Sequence, residues 1–276
     1  MARTPAQLAA GGLARLERVL RSVRRGLSGP RRAGQTDRPN DADEWASLYA
    51  AEIRPIRTLE SPVARALAGL TQSGEVVLET GCGAAEISAE LGTAGRRIEL
   101  ADFSEPILTR ARRLFEVSGL PAPATTLCDL TRPLPWPDRA VDVTWSSGVL
   151  EHWTDDELVP IVRELARISR RRVVSLVPHA GCVAYRWGKA VAEAEGTWPY
   201  GRELPRSSLR GVFEAAGLHR VEERTLWSEA GLEFLHFVDS EVRRSFADWF
   251  RHLADNDPIR IQQGYLLLTV GEVTAS

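Results

Sequence analysis

The segment that most constrains the fold of this chain runs from Val76 to Ala85, where a short apolar run leads into Glu79-Thr80-Gly81-Cys82-Gly83. The apolar run predicts a buried strand, and two glycines separated by one residue predict a tight turn directly after it. A helical pattern follows at 84–91. Because the backbone N–H groups at the start of a helix face the preceding turn, this order predicts a ligand site at the end of a parallel strand.

Short β-branched runs alternate with helical patterns along the rest of the chain. Strands are expected at Glu75–Glu79, Arg97–Asp102, Thr125–Asp129, Val141–Ser146, Arg172–Val177, Arg220–Leu226 and Tyr265–Val270. Helices are expected at 84–91, 104–117 with Ser104 as N-cap, 155–169 with a capping box from Thr154, 183–194, 206–216 and near 239–254. The alternation predicts an α/β fold with a doubly wound sheet of seven strands.

The charge of the chain is unevenly distributed. The whole sequence carries −2, but residues 1–33 hold eight arginines and one glutamate and carry +7, so the remainder carries −9. Apolar residues recur at helical spacing between Leu13 and Leu27, which predicts a basic amphipathic helix over 13–27, followed by a flexible linker up to residue 43. Contact with an anionic membrane surface, contact with a partner protein and a mobile extension all remain open as roles of this helix. Its apolar seam contains no Trp or Phe, the residues that anchor such helices in lipid.

The cysteines and histidines suggest no metal site. Cys82, Cys128 and Cys182 have no paired spacing, and the five histidines form no ligand motif. An odd number of cysteines favours a reducing compartment, and no run of about 18 or more apolar residues occurs. We therefore expect a cytoplasmic protein without a metal.

Acidic residues lie at the predicted ends of three successive strands. Glu79 precedes the first glycine by two residues, Asp102 follows Gly81 by 21 residues, and Asp129 ends the third strand. A dinucleotide fingerprint would require a glycine at position 86, where the chain has Glu86, so the pattern argues against NAD and FAD. Acids around the turn favour a ligand with positive groups, and S-adenosylmethionine is such a ligand.

These motifs together resemble those of class I S-adenosylmethionine-dependent methyltransferases, in particular the small-molecule branch that includes the ubiquinone/menaquinone-type enzymes. The resemblance implies a Rossmann-like doubly wound sheet with the last strand antiparallel, a methyltransferase domain over 44–276, and S-adenosylmethionine as cofactor. By residue, it implies cofactor contacts from Glu79, Thr80, Gly81, Cys82, Gly83, Asp102, Phe103, Asp129, Leu130, Ser146 and Ser147. Ala85 stands where many members of the family have a further glycine.

Candidates for catalysis and for substrate binding follow the fourth and fifth strands. His152, Glu151 and His179 are candidate general bases. The alternative for the Glu151-His152 pair is a structural start of a helix, and we favour it because a motif shared by different chemistries does not specify one of them. A substrate cover is expected near 178–206, with Tyr185, Trp187, Trp198 and Tyr200 as candidate contacts. Each of these aromatics could instead pack in the core, as could Trp45 and Tyr49.

The sequence therefore predicts methyl transfer from S-adenosylmethionine to an O, N or C atom of a small molecule such as a biosynthetic metabolite, sugar or aromatic. Two alternatives remain: a non-catalytic partner or scaffold with the same fold, and an NAD-dependent oxidoreductase. A nucleic-acid methyltransferase is not expected, because Ser146-Ser147-Gly148 follows the fourth strand where a base-flipping enzyme would carry an Asn/Asp-Pro-Pro-aromatic motif.

Overall fold

A computed structural model describes residues 41–49 and 52–274 of the chain. The basic helix predicted over 13–27 and nearly all of the predicted linker lie outside these residues. Within the described part of the chain, no helix is both long and apolar enough to cross a membrane.

Seven strands form one mixed sheet in the order β3-β2-β1-β4-β5-β7-β6. Their bounds are β1 Val76–Thr80, β2 Arg97–Asp102, β3 Ala124–Leu127, β4 Val141–Ser147, β5 Ser169–Pro178, β6 His219–Leu226 and β7 Leu266–Glu272. β7 runs antiparallel to both β5 and β6, whereas the first five strands are mutually parallel. The expected doubly wound sheet with an antiparallel last strand is confirmed, and its strand order reverses between β1 and β4.

Two helices precede β1, and the others lie between successive strands of the chain. Their bounds are α1 Ala42–Leu48, α2 Pro62–Leu70, α3 Glu86–Thr93, α4 Glu105–Ser118, α5 Asp155–Ile168, α6 Val183–Glu195, α7 Arg210–Ala215, α8 Ser240–His252 and α9 Pro258–Gln262. The capping box predicted at Thr154 is present, with the Glu157 side chain accepting the Thr154 backbone N–H. Ser104 does precede α4, but its hydroxyl donates to the Ala42 carbonyl and does not cap the helix.

One predicted helix is shorter than expected. The pattern at 206–216 predicted a continuous helix, but α7 begins at Arg210. Arg206 instead pairs with the end of β5 and the residues after it: its backbone N–H donates to the carbonyl of Pro178, and its own carbonyl accepts the N–H of Ala180. These backbone bonds hold Arg206 in an extended conformation, so the segment before α7 belongs to a loop.

The sheet has an apolar core on each face, because successive side chains of a strand point to opposite sides. Val77 belongs to the core shared with α2, α3 and α4, whereas Leu78 belongs to the core shared with α5 and α7. A smaller cluster, made of Leu232, Leu235 and Phe250, lies under α8. The resulting three-layer arrangement leaves the carboxyl ends of β1, β2 and β4 together at one edge.

Candidate functional site

The Gly-x-Gly turn after β1 requires both of its glycines. Gly81 and Gly83 have φ angles of +66° and +48°, in the left-handed region that side chains disfavour. A β-carbon on Gly81 would lie 2.6 Å from a methyl group of Val149, and one on Gly83 would lie 2.8 Å from the ring of Tyr49. The turn is also fixed from below, because the N–H groups of Gly81 and Cys82 donate to the carbonyl of Ala101 at 2.8 and 3.2 Å.

Two buried carboxyl groups stand against this turn. Asp102, at the end of β2, accepts the N–H of Gly83 at 3.3 Å and that of Ser104 at 3.0 Å. Glu79 is buried as well, and its Oε2 has no hydrogen-bond partner among the described residues. Burial raises the pKa of Asp102, and burial together with the nearby Asp102 raises the pKa of Glu79 well above its usual range. Such groups are ready to accept a ligand that brings positive charge or hydrogen-bond donors.

A cavity of about 450 Å³ opens over these strand ends. It is lined by Trp45, Tyr49, Gly81, Gly83, Ala101, Asp102, Phe103, Ile107, Cys128, Asp129, Leu130, Thr131, Ser147, Gly148, Val149, His152 and Trp153. Apart from the carboxyl groups of Asp102 and Asp129, these residues are mainly apolar, aromatic or glycine. None of the described residues that line the cavity is a lysine or an arginine, so its electrostatic character favours a cation over a phosphate-bearing ligand.

The structure brings most of the predicted cofactor residues to this cavity. Gly81, Gly83, Asp102, Phe103, Asp129, Leu130 and Ser147 line it. Glu79, Thr80, Cys82 and Ser146 do not: Glu79 and Cys82 are buried beside the turn, and the Thr80 hydroxyl donates to the carbonyl of Trp145. Ser146 is buried beside the lining residue Ser147, since successive residues of β4 point to opposite faces.

Of the three candidate bases, the structure brings only His152 to the cavity. Its Nδ1 lies 2.6 Å from the carbonyl oxygen of Arg202, and its ring stands edge-on to Trp45 at 5.4 Å between centroids. Burial lowers the pKa of His152. Burial of the ring thus favours its neutral form.

The structure does not place the other two candidates in the cavity. Glu151 is fully buried in the short helical turn that follows β4. Burial and the neighbouring Glu203 raise its pKa well above the usual range. His179 lies outside the cavity lining, and its Nδ1 is 3.1 Å from the carbonyl of Gly264. Both residues follow the end of a strand, as His152 does. Only the packing of the folded chain therefore distinguishes them from His152.

The four predicted substrate aromatics pack against other side chains, and none of them lines the cavity. Tyr185 is fully buried and donates its hydroxyl to Glu203, and Trp187 packs against Phe237. Trp198 packs against Tyr185 and Tyr200. Tyr200 contacts the cavity wall indirectly, because it stacks on the cavity-lining Trp45. Tyr185 and Trp187 therefore do not line the cavity, and a direct substrate contact from either stays a prediction.

Several lining residues were not singled out from the sequence. Ile107, Thr131 and Trp153 carry no motif, and the carbonyl of Arg202 that orients His152 is a backbone group without any sequence signal. Gly148 could have been identified from the sequence, because a glycine directly after Ser146-Ser147 suggests a turn with positive φ. Its φ in the structure is +70°.

Comparison with known proteins finds one matching family model and many solved structures with a similar fold. Residues 77–172 match a family model described as a methyltransferase domain. No curated protein sequence matches the chain significantly.

Three solved structures illustrate the likeness of fold. One is a complex between the Trm112 methyltransferase activator of Haloferax volcanii and a methyltransferase; it is 21% identical over 78% of this chain and 89% of that chain, with a TM-score of 0.55. A SAM-dependent methyltransferase of Archaeoglobus fulgidus is 16% identical over 76% and 91% of the two chains, with a TM-score of 0.54. The magnesium protoporphyrin IX methyltransferase of Synechocystis PCC 6803, solved with bound SAH, is 18% identical over 84% and 93%, with a TM-score of 0.51.

Proposed function

Since the chain carries a methyltransferase domain on the class I S-adenosylmethionine-dependent fold, we propose that it transfers the methyl group of S-adenosylmethionine to a small-molecule acceptor. The observation that carries this proposal is the cavity over the Gly-x-Gly turn. Its lining includes the carboxyl groups of Asp102 and Asp129, and none of its described lining residues carries a cationic side chain. A cofactor with an ammonium and a sulfonium group suits such a site, and the pyrophosphate of NAD does not.

The residues present fit S-adenosylmethionine one group at a time. The unpartnered Oε2 of Glu79 and the Gly81–Gly83 turn would hold its amino-acid part, and Asp102 would hold the ribose hydroxyls. Asp129 and Leu130 would contact the adenine, with Ser147 near the methionine chain. When bound, the cofactor supplies an activated methyl group, so the protein mainly has to place the acceptor in line and exclude water.

Two further assignments belong to this proposal. We place the substrate cover at 178–206, within a methyltransferase domain over 44–276, because Tyr200 from that segment stacks on Trp45 at the cavity wall. We also place the protein in the cytoplasm, for which the three unpaired cysteines are the support.

Calorimetric titration of the full chain tests the cofactor. We expect S-adenosylmethionine to bind and NAD⁺ not to bind. Asp102→Asn should weaken the binding of S-adenosylmethionine at least tenfold, while the exposed Asp138→Asn serves as a matched control without effect. Binding of NAD⁺ in the absence of S-adenosylmethionine binding would refute the proposal. A scaffold protein would differ from an enzyme by producing no S-adenosylhomocysteine with any acceptor.

A further inference from the structure

Helix α8 presents an apolar stripe to solvent. Val242, Phe246 and Trp249 recur at spacings of four and three residues, which places them on one face of the helix. These residues are 45, 51 and 44% exposed, and the rings of Phe246 and Trp249 stand edge-on with their centroids 6.3 Å apart. Phe250 is the buried residue by which α8 packs on the molecule. A contiguous exposed stripe of this kind indicates an interaction surface, whereas single exposed apolar residues do not.

The exposed apolar surface of the molecule is concentrated around this stripe. Nine large apolar residues are exposed in the described part of the chain, and seven of them follow residue 182. Arg260 of α9 donates to the carbonyl of Leu253, directly after α8, at 2.9 Å, so the two helices belong to one surface. The seven residues are Val183, Trp227, Val242, Phe246, Trp249, Ile259 and Ile261.

The charge around the stripe indicates what kind of partner it takes. The chain carries seven acidic residues and four arginines between residues 228 and 262. Three of these arginines, Arg243, Arg251 and Arg260, already form ion pairs with acids of the same region. The excess of acids opposes contact with an anionic lipid surface or with the same face of a second copy. It favours a partner that is apolar on one side and basic around it.

The basic segment at 13–27, which lies outside the described residues, has this chemistry. Residues 1–33 carry +7, and apolar residues of the segment recur at spacings of three and four, as those of the stripe do. A helix over 13–27 would be about 20 Å long, which is also the length of the thirteen-residue α8. Two apolar stripes of equal length and period can pack side by side. The apolar residues of the segment are Leu13, Leu16, Leu20, Val23 and Leu27.

The chain between the segment and α1 is long enough for this contact. Residues 28–41 span about 45 Å when they are fully extended. From Trp45 of α1, a series of neighbouring rings leads to Phe234, with successive centroids 6.3, 5.2 and 6.0 Å apart. The next residue, Leu235, belongs to the same cluster as Phe250 of α8. The intervening rings are those of Tyr200 and Trp198.

We propose that the basic segment at 13–27 docks as an amphipathic helix on the exposed apolar stripe of α8, within the same chain. The proposal is independent of the proposed function. Because the two surfaces are tethered, the contact forms at a high effective concentration and requires no second molecule. Docking covers Phe246 and Trp249 and fixes the chain directly before α1, whose Trp45 lines the cavity.

Hydrogen–deuterium exchange of the full chain tests whether the segment docks. An isolated helix of about 15 residues is marginal in water, so slow exchange in the peptide that covers 13–27 reports a docked helix. We expect this exchange to be at least about tenfold slower than in an unstructured chain, and to lose its protection in Phe246→Ser/Trp249→Ser. Leu127→Ser is the matched control, because Leu127 is 57% exposed but lies on the edge strand β3. Unprotected exchange in the unaltered protein, or equal protection in both variants, would overturn the proposal.

Hydroxyl-radical footprinting measures the stripe itself and does not depend on the folding of the double variant of α8. We expect Phe246 and Trp249 to be modified at least about threefold faster in Leu16→Asp/Leu20→Asp than in the unaltered protein, because this variant removes their cover. The rate at Val183, which is exposed outside the stripe, should stay the same. Unchanged rates at both aromatic residues would contradict docking at this face.

Two measurements on the full chain distinguish the other partners. Sedimentation over a range of protein concentrations should show no dimer that depends on Phe246. Flotation with vesicles of phosphatidylserine and phosphatidylcholine should show no binding that depends on the same residue. A dimer that Phe246→Ser/Trp249→Ser abolishes would assign the stripe to a second copy, and vesicle binding abolished in that variant would assign it to lipid. Either result would refute the intramolecular contact.

Discussion

The ring of Tyr49 lies directly over Gly83, so that a β-carbon at Gly83 would stand 2.8 Å from both the Cζ and the hydroxyl oxygen of the tyrosine. Helix α1, the first in the described part of the chain, thus ends against the turn that follows β1, although the two are far apart in the sequence. Burial raises the pKa of Tyr49 to about 12, so its hydroxyl stays neutral against the nearby carboxyl groups. The contact at Gly83 therefore couples the proposed cofactor site to helix α1.

Gly83→Ala should therefore reduce the affinity for S-adenosylmethionine at least tenfold, because the new methyl group displaces Tyr49 and occupies the cavity. Isothermal titration calorimetry measures the change. Gly74→Ala is a matched control: its φ of +84° makes a side chain equally strained there, yet nothing lies within 4 Å of its β-carbon position. It should cost about 1 kcal/mol of unfolding free energy and leave the affinity unchanged. Equal affinity losses in both variants would show that backbone strain, and not the Tyr49 contact, is responsible.

Glu90, which lies on α3, stabilises the N-terminal end of α2. Its Oε2 accepts the backbone N–H groups of Glu60 and Ser61 at 2.5 and 2.8 Å, and its side chain is buried. Glu90→Ala leaves both N–H groups without a partner, and we expect a loss of about 2–4 kcal/mol in urea unfolding. The exposed Glu86→Ala on the same helix should cost less than about 1 kcal/mol. Similar losses in the two variants would contradict the role of the buried carboxylate.

The sequence predicted those parts of the fold whose signals are local. β2 has the predicted bounds, and the capping box at Thr154 begins α5 as expected, because strand patterning and capping both act over a few residues. The predicted start of α7 was wrong, because Arg206 forms backbone hydrogen bonds with Pro178 and Ala180. These residues are far from Arg206 in the sequence, and a periodic pattern reports only local structure.

The candidate site divides in the same way. Gly81, Gly83, Asp102 and Asp129 could be named because they lie on a motif, and the structure places them in one cavity. The sequence offered His152 as the first and His179 as a second candidate base, since each closely follows a strand. Only packing distinguishes them, through an orienting carbonyl on a loop that the chain reaches fifty residues after His152.

Gly188 is required by close packing, because a β-carbon there would lie 2.3 Å from the carbonyl oxygen of Phe234. Gly188→Ala must push α6 away from this segment, and we expect a loss of about 1–3 kcal/mol in unfolding free energy. Gly69→Ala is the matched control, since the exposed Gly69 of α2 has nothing within 4 Å of its β-carbon position. That variant should gain about 0.5 kcal/mol through helix propensity. A neutral Gly188→Ala would contradict the packing seen between α6 and Phe234.

The raised pKa of Glu79 links stability, cofactor binding and pH. An acid whose pKa is higher in the folded state contributes stability below its unfolded value, and that contribution is lost as the pH rises through the folded value. The difference in unfolding free energy between Glu79→Gln and the unaltered protein should thus grow in favour of the variant from pH 5 to pH 8, as measured with urea. A cationic cofactor favours the ionised carboxyl group, so its binding should release a proton, and Glu79→Gln should abolish that release. Calorimetry in buffers of different ionisation enthalpy measures the proton count. An unchanged count in the variant would assign the proton to Asp102, the only other buried carboxyl group beside the turn in the described chain.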